Sequence, residues 1–338
     1  MKAFILYIQL ILCCPLMVAA QNVDCCNWMS RLDDARTVAS LSIPGAHDAA
    51  TGEGLLMVAG LGKTQELTLA GQWECGVRAF DLRPAVKGKE LHIYHGPIRT
   101  KASFEDALET LCYRLEEHPS EFAIVLLREE SDSENTAERA LWPSAVGKAI
   151  EAIGDKAALF SPAMSVGDAR GKIIFLSRNA YTGCNKGAKV SGWSHSPEGN
   201  TNAGISSYAN GATARLMVQD YYAPTDKEKQ QTKERAVLHY LQLAAEAPAD
   251  VWTINFASGY RNRWLGFTPF ATTSSYKRNA QAIHPVVIEA LVTEPQPTGI
   301  VMMDFAGCDR AGGGLWHWSS FNIVGAELVK RIIGQNFR

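Results

Sequence analysis

Short β-rich apolar runs and longer helical stretches take turns along nearly the whole chain, and that alternation leaves few folds open. The runs are Val38–Ile43, Val77–Leu82, Leu91–Tyr94, Phe122–Leu127, Lys172–Leu176, Leu216–Gln219, Val251–Asn255 and Ile300–Met303. Helical patterns over Gln65–Glu74, Phe104–Glu117, Thr136–Ile153, Lys227–Glu246, Pro285–Val292 and Phe321–Ile333 separate most of them. Ser103, followed three residues later by Asp106, gives the Phe104 helix its start signal. Only the link between the second and third runs is too short for a helix. Eight strands with crossover helices predict a distorted (βα)8 TIM barrel of the α/β class, folded as a single domain over residues 21–338. An open doubly wound sheet is the alternative, but it would gather its site at one switch point.

The polar residues favour the barrel. In such barrels reactive groups sit at the C-terminal ends of strands, and His47, Arg83, His95, Arg128, Arg178, Asp220 and Asp304 each fall at or just past the end of a run. Asp81 and Arg83 stand two residues apart and so share a face if their run is a strand. Two imidazoles, carboxylates to orient them and a guanidinium for an anion are the parts needed to cleave a phosphodiester without a metal. Two stretches fit no element: Asn179–Asn210, rich in Gly, Ser and Asn, and the aromatic Ala257–Asn279. Both are expected to be loops on the rim of the site.

Met1–Ala20 carries one positive charge, an apolar core and small residues at Val18 and Ala20, the pattern of a secretory leader cut after Ala20. A lipoprotein leader using Cys13 or Cys14 fits less well, because Leu12 is bulky where a small residue is usual. The leader points to a secreted or periplasmic protein. The formal charge of −2, one unit more negative once Lys2 leaves, gives no footprint for binding a polyanion, so nucleic acid is excluded as a partner. Cys25, Cys26, Cys75, Cys112, Cys184 and Cys308 match no zinc spacing and are assigned no chemistry, although an exported chain could oxidise some pairs.

Six blocks carry a resemblance. Ser42-Ile-Pro-Gly-Ala-His-Asp48, Arg78-Ala-Phe-Asp-Leu-Arg83, Tyr94-His-Gly96, Ile124-Val-Leu-Leu-Arg-Glu-Glu130, Gly171-Lys-Ile-Ile-Phe-Leu-Ser-Arg178 and Val218-Gln-Asp-Tyr-Tyr222 resemble, in order, the bacterial phosphatidylinositol-specific phospholipases C. The resemblance covers roughly Leu41 to Asp304. It implies a distorted TIM barrel in which the inositol 2-hydroxyl attacks its neighbouring phosphate, diacylglycerol leaves, and the cyclic phosphodiester is then slowly hydrolysed. It also implies His47 as general base oriented by Asp304, and His95 as general acid partnered by Asp48. Arg83 would hold the phosphate oxygens, with Asp81 holding Arg83 or linking to the leaving group. Arg128, Glu130, Arg178, Asp220 and Tyr222 fall at inositol-binding positions. Arg128 stands where a lysine is expected, which leaves the headgroup less defined than the reaction.

Because the third position of Asp81-Leu-Arg83 is a cation, a metal-independent enzyme is expected, with no cofactor and Arg83 supplying the charge an ion would bring. The partner is phosphatidylinositol or a related lipid at a membrane surface, glycosyl-phosphatidylinositol anchors included, and the protein is expected to be a monomer. Candidate membrane contacts are Gly54–Gly60 and the loop around Trp264 and Phe267. A phosphodiesterase for another headgroup, and an inositol- or carbohydrate-binding module without catalysis, are the competing readings. His92, His118, His195, His239, His284 and His317 are read as structural, and Arg128 and Arg178 have rim ion pairs as their plainer alternative.

Overall fold

The computed structural model describes residues 24–56, 62–130, 136–223, 227–260, 263–265, 268–270, 272–312 and 320–338. The leader assigned to Met1–Ala20 and His317 lie outside the described residues, as do Met57–Gly60 of the Gly54–Gly60 patch and Phe267.

In chain order the strands are β1 (Ile43–Ala46), β2 (Ala79–Leu82), β3 (Pro84–Lys87), β4 (Glu90–His95), β5 (Ile98–Ser103), β6 (Ala123–Leu127), β7 (Ile173–Ser177), β8 (Ala188–Ser191), β9 (Asn200–Ser207), β10 (Thr213–Gln219), β11 (Trp252–Phe256), β12 (Arg263–Leu265), β13 (Thr268–Phe270), β14 (Ile300–Met303), β15 (Arg310–Gly312) and β16 (Ser320–Asn322). The helices are α1 (Leu69–Glu74), α2 (Phe104–Glu117), α3 (Thr136–Ala152), α4 (Val166–Ala169), α5 (Lys227–Glu246), α6 (Thr273–Thr293) and α7 (Gly325–Gly334).

A closed barrel forms in the order β1-β14-β11-β10-β9-β8-β7-β6-β2. Pairing is parallel except around β9, which runs antiparallel to both β8 and β10. The strands β6, β7 and β11 are buried at every position, as expected of parallel strands covered on both faces. The helices lay apolar rows on them four residues apart: Leu111 and Leu115, Val146 and Ile150, Val237 and Leu241, Ile283 and Val287, Leu328 and Ile332, all fully buried.

Several expectations change. The run Leu91–Tyr94 is not a barrel strand: it lies in β4, the middle strand of an antiparallel sheet β3-β4-β5 beside the barrel mouth. A parallel crossover needs a dozen or more residues, and the short link from β2 permits only a hairpin. The first run is displaced. Val38–Ser40 form a 3-10 turn and the strand is Ile43–Ala46. The stretch Asn179–Asn210 is not all loop, because it holds β8 and β9 and so completes the barrel; its Gly, Ser and Asn content hid the alternation of buried Ala203, Ile205 and Ser207 along β9. The stretch Ala257–Asn279 contains the hairpin β12–β13 and the start of α6. That helix begins at Thr273 rather than Pro285, since the buried stripe Tyr276, Ala280, Ile283, Val287 carries it through the proline.

Cys26, Cys75, Cys112, Cys184 and Cys308 are half-buried thiols. Among the described residues no helix is long and apolar enough to cross a membrane.

Candidate active site

Parallel pairing of β1 with β14 and β2 aligns their C-terminal ends, and the residues just past those ends meet. His47 follows β1 and Asp304 follows β14; the Nδ1 of His47 lies 2.7 Å from Asp304 Oδ1. Asp304 Oδ2 accepts from the Gly259 amide at 3.0 Å, so the orienting carboxylate is itself held. Gln65 Nε2 donates to the carbonyls of His47 and Met303, at 2.8 and 2.9 Å, and locks the two strand ends together.

Asp48 sits in the left-handed region with φ 44°, a conformation Asp tolerates better than most side chains. This turn aims its carboxylate across the mouth. Asp48 Oδ2 lies 3.2 Å from His47 Nε2 and 3.3 Å from His95 Nε2, and Oδ1 lies 2.8 Å from Arg83 Nε. One carboxylate therefore touches both imidazoles and the guanidinium.

Asp81 lies in β2 and Arg83 just past its end, and Arg83 Nη2 donates to Asp81 Oδ2 at 2.8 Å. Glu130, past β6, reaches Arg83 Nη1 at 3.4 Å and accepts from the Gly96 amide at 3.0 Å. His95 arrives at the end of β4, where Gly96 takes φ 54° at the first central position of a two-residue turn, the position for which such hairpins demand a positive φ.

Burial disfavours the charged imidazole of His47, but the Asp48 and Asp304 carboxylates override it and push its pKa up to about 9. Burial pulls Asp48 toward its neutral form against Arg83 and the two histidines. Burial also opposes ionisation of Asp81, yet Arg83 beside it holds that carboxyl below the usual range. Asp48 Oδ2 thus stands between the Nε2 atoms of the two imidazoles.

The donor atoms of His47, Asp48 and Asp81 lie within 4.8 Å of one another, the spacing of a metal site. Here the guanidinium of Arg83 lies against both carboxylates and supplies the positive charge.

A second cluster lies farther round the mouth. Arg178 follows β7 and Asp220 follows β10, 3.8 Å apart. Trp193 Nε1 donates to Asp220 Oδ2 at 2.9 Å, His195 Nδ1 lies 3.1 Å from the same oxygen, and the Arg178 guanidinium stacks over the Trp193 ring at 4.4 Å. Burial lowers Arg178 to about 10, and although burial raises Asp220, hydrogen bonds and charge from His195 hold it below its ordinary range. Tyr222 stands edge-on to His195 at 5.2 Å and stays 39% exposed at the rim. Arg128 pairs with Glu130 at 3.2 Å and leaves its head half in solvent. The two clusters share a wall in Phe256, whose ring lies 6.0 Å from that of His47 and 5.7 Å from that of Trp193. Its carbonyl accepts from Gln219 and from the buried Lys233, whose amine burial lowers to about 7.

This arrangement bears on known proteins. No protein-family profile matches the chain. It is 34% identical over 156 residues to a 1-phosphatidylinositol phosphodiesterase of Listeria monocytogenes, an alignment spanning 45% of this chain and 48% of that one. With a 1-phosphatidylinositol phosphodiesterase of Staphylococcus aureus it shares 24% over 322 residues, 90% of this chain and 93% of that one. Among solved structures, a double mutant of the S. aureus phosphatidylinositol-specific phospholipase C matches with a TM-score of 0.70 at 22% identity, covering 91% of this chain and 97% of that one. The L. monocytogenes enzyme matches with 0.62 at 25%, covering 94% and 100%. In sequence and in fold the chain is similar to the bacterial phosphatidylinositol-specific phospholipases C.

Every site residue expected from that family's motifs lies at the C-terminal mouth, in the two clusters just described. Sequence reasoning missed Trp193 and His195, which was taken as structural and instead contacts Asp220 and Arg178. Their signal is an aromatic and an imidazole two residues apart in a Gly/Ser-rich segment just beyond β8. It also missed Gln65, Phe256, Lys233 and Tyr276, all distant in sequence from the motif blocks they serve. His284 keeps its structural reading: its Nδ1 faces the Ile323 carbonyl at 3.0 Å, and burial lowers it to about 4.

Proposed function

We propose that this chain is a metal-independent phosphatidylinositol-specific phospholipase C that forms inositol 1,2-cyclic phosphate and diacylglycerol. The observation that carries the reading is the approach of both histidine Nε2 atoms to Asp48 Oδ2, beside Arg83. A base and an acid on either side of Asp48, with a guanidinium beside them, suit an in-line displacement at phosphorus and would serve no purpose in a pure binding module.

In this reading His47 Nε2 takes the proton of the inositol 2-hydroxyl as its oxygen attacks phosphorus. Asp304 fixes the ring through Nδ1 and stabilises the imidazolium. The bond from phosphorus to the glycerol oxygen breaks, and His95 Nε2 supplies the proton that oxygen needs. Arg83, braced by Asp81 and Glu130, faces the charge growing on the non-bridging oxygens. The sugar lies toward Arg178 and Asp220, whose fork and carboxylate suit vicinal hydroxyls, with Tyr222 against its face and Arg128 and Glu130 at its side. Hydrolysis of the cyclic product reverses the roles, water giving its proton to His95.

The protein acts as a monomer at a membrane surface outside the cytoplasm, after removal of a leader ending at Ala20. That part rests on the Met1–Ala20 pattern and on the lipid nature of the substrate. N-terminal sequencing of exported protein should read from Gln21; retention of the leader overturns it.

The decisive test of the reaction is phosphorus NMR of phosphatidylinositol incubated with purified protein and excess EDTA. A cyclic phosphodiester resonance is expected. Activity lost on chelation and restored by calcium would overturn metal independence, and turnover of another headgroup alone would favour the competing phosphodiesterase.

A further inference from the structure

Both ring nitrogens of His95 are engaged. Nδ1 faces the Gly62 carbonyl at 2.5 Å, and a carbonyl only accepts, so Nδ1 keeps its hydrogen in both charge states. Nε2 is therefore the nitrogen that gains and loses a proton. Two oxygens stand near it: Asp48 Oδ2 at 3.3 Å and the phenol oxygen of Tyr276 at 3.1 Å. The other charged or titratable neighbours are Arg83, behind Asp48, and His47, whose ring centroid is 6.3 Å from that of His95.

These two oxygens suit different states of the ring. An imidazolium N–H can donate to the Asp48 carboxylate. Once the proton has gone to the leaving oxygen, the bare lone pair on Nε2 faces a carboxylate that has nothing to donate. The Tyr276 hydroxyl keeps a hydrogen to fill that need whatever the charge on Asp48. Burial, with Asp48 and Asp304 adding to it, holds the phenol well above its ordinary range, so it stays a donor.

The phenol is also held still. Tyr276 is 4% exposed, with its ring 5.5 Å from those of His95 and Tyr260. It lies in the first turn of α6, which Thr272 and Ser275 close with a reciprocal cap. The Lys63 amide donates to Thr273 Oγ1 at 3.1 Å, and Glu66 pairs with Lys63 at 2.8 Å and Lys277 at 2.9 Å. The segment from Gly62 to Glu66 therefore supplies the acceptor for Nδ1 and braces the helix that carries the donor for Nε2.

We propose that Tyr276 is a positioning residue for departure of the leaving group: its hydroxyl takes the Nε2 lone pair of His95 once that nitrogen has given its proton to the glycerol oxygen, so that the neutral ring is held and the proton does not return. The phenol proton stays on its own oxygen throughout. In hydrolysis of the cyclic product, as water returns a proton to Nε2, the hydroxyl turns away. The proposal rests on His95 being the general acid.

Four proteins, the wild type, Tyr276→Phe, His95→Ala and the double variant, are assayed on phosphatidylinositol and on an inositol phosphate ester of nitrophenol. A nitrophenolate leaves without protonation, so a residue acting through the acid matters little for that ester. Tyr276→Phe should lose about tenfold on phosphatidylinositol, the scale of one lost hydrogen bond, and little on the ester. In the His95→Ala background the Phe substitution should change neither rate further. The ratio of the two rates in one preparation cancels any change in folded fraction. Equal losses on both substrates, no loss on phosphatidylinositol, or a further loss in the His95→Ala background would each overturn the role of Tyr276. If His95→Ala itself loses equally on both substrates, the acid assignment falls and the proposal with it.

Discussion

At the scale of single residues, the chemistry is concentrated in pairs that differ only in what surrounds them. His47 has a carboxylate on each ring nitrogen, whereas His95 has a backbone carbonyl on one and shares Asp48 on the other. His47→Ala and His95→Ala should each lower turnover of phosphatidylinositol by about 10²- to 10⁴-fold, the usual worth of a general acid or base, in a steady-state assay; a near-normal rate would make that histidine structural. The titration of His47 gives a second check. Its folded-state value of about 9 lies above the ordinary 6.5, so its stabilising contribution is complete below pH 6.5 and is lost as pH rises through about 9. Asp304→Asn removes one of the carboxylates responsible. The imidazole resonances of His47 should then titrate at lower pH, and wild type should lose stability relative to this variant between those two pH values. An unchanged titration would show that Asp304 does not govern the base. Most of these residues were legible because each closes an apolar run within a motif block; Trp193, His195 and Tyr276 were not, because the folding of the rim brings them in from segments without a periodic signal.

At the scale of elements, the helices α2 and α5 match their sequence patterns residue for residue. The cap of α2 is the reciprocal one that Ser103 and Asp106 foretell. Strand membership was harder to read, because periodicity reports that a segment is half-buried and says nothing of which sheet it joins. Thus β4 carries a strand pattern yet pairs outside the barrel, while β9 pairs within the barrel although its polar sequence reads as loop. Close approach of backbone to backbone is another property that pattern does not show. Gly147 lies inside α3, where helix propensity alone would favour alanine by about 1 kcal/mol. A Cβ built there meets the Thr182 carbonyl oxygen at 1.9 Å. Gly147→Ala should therefore destabilise, by about 1–3 kcal/mol, in denaturant unfolding. A gain in stability would mean that the segment around Thr182 yields easily.

At the scale of the whole molecule, the two ends of the barrel divide the work, with the mouth carrying the chemistry and the N-terminal end carrying stability. Arg78, fully buried, pairs with Glu121 at 2.8 Å, stacks over Trp73 at 3.8 Å and donates to the carbonyls of Trp73, Val77 and Cys26. It joins the first described helix-like segment, α1, β2 and the start of β6. Burial raises the Glu121 carboxyl even with Arg78 beside it. Arg78→Ala would leave that acid buried without its partner. A loss of about 3–5 kcal/mol is expected in thermal or denaturant unfolding, with kcat near normal at temperatures where the variant stays folded. A large fall in kcat with little change in stability would overturn this division.

The placement of His95 outside the barrel has a kinetic consequence. Proteins open in cooperative units whose free energies differ, and a small antiparallel sheet ending in a two-residue turn is a separate unit from closed strands buried on both faces. The amides near the β4–β5 turn should exchange with deuterium faster than those of β6, β7 and β11. In a molecule opened only there, His47, Arg83 and the Arg178–Asp220 pair keep their places while His95, the proposed acid, is absent. On the proposed mechanism such a molecule would still capture an inositol headgroup but would release it unreacted, so a share of encounters would end in unproductive residence rather than turnover. Stiffening the hairpin should reduce that share and leave equilibrium affinity for the headgroup untouched.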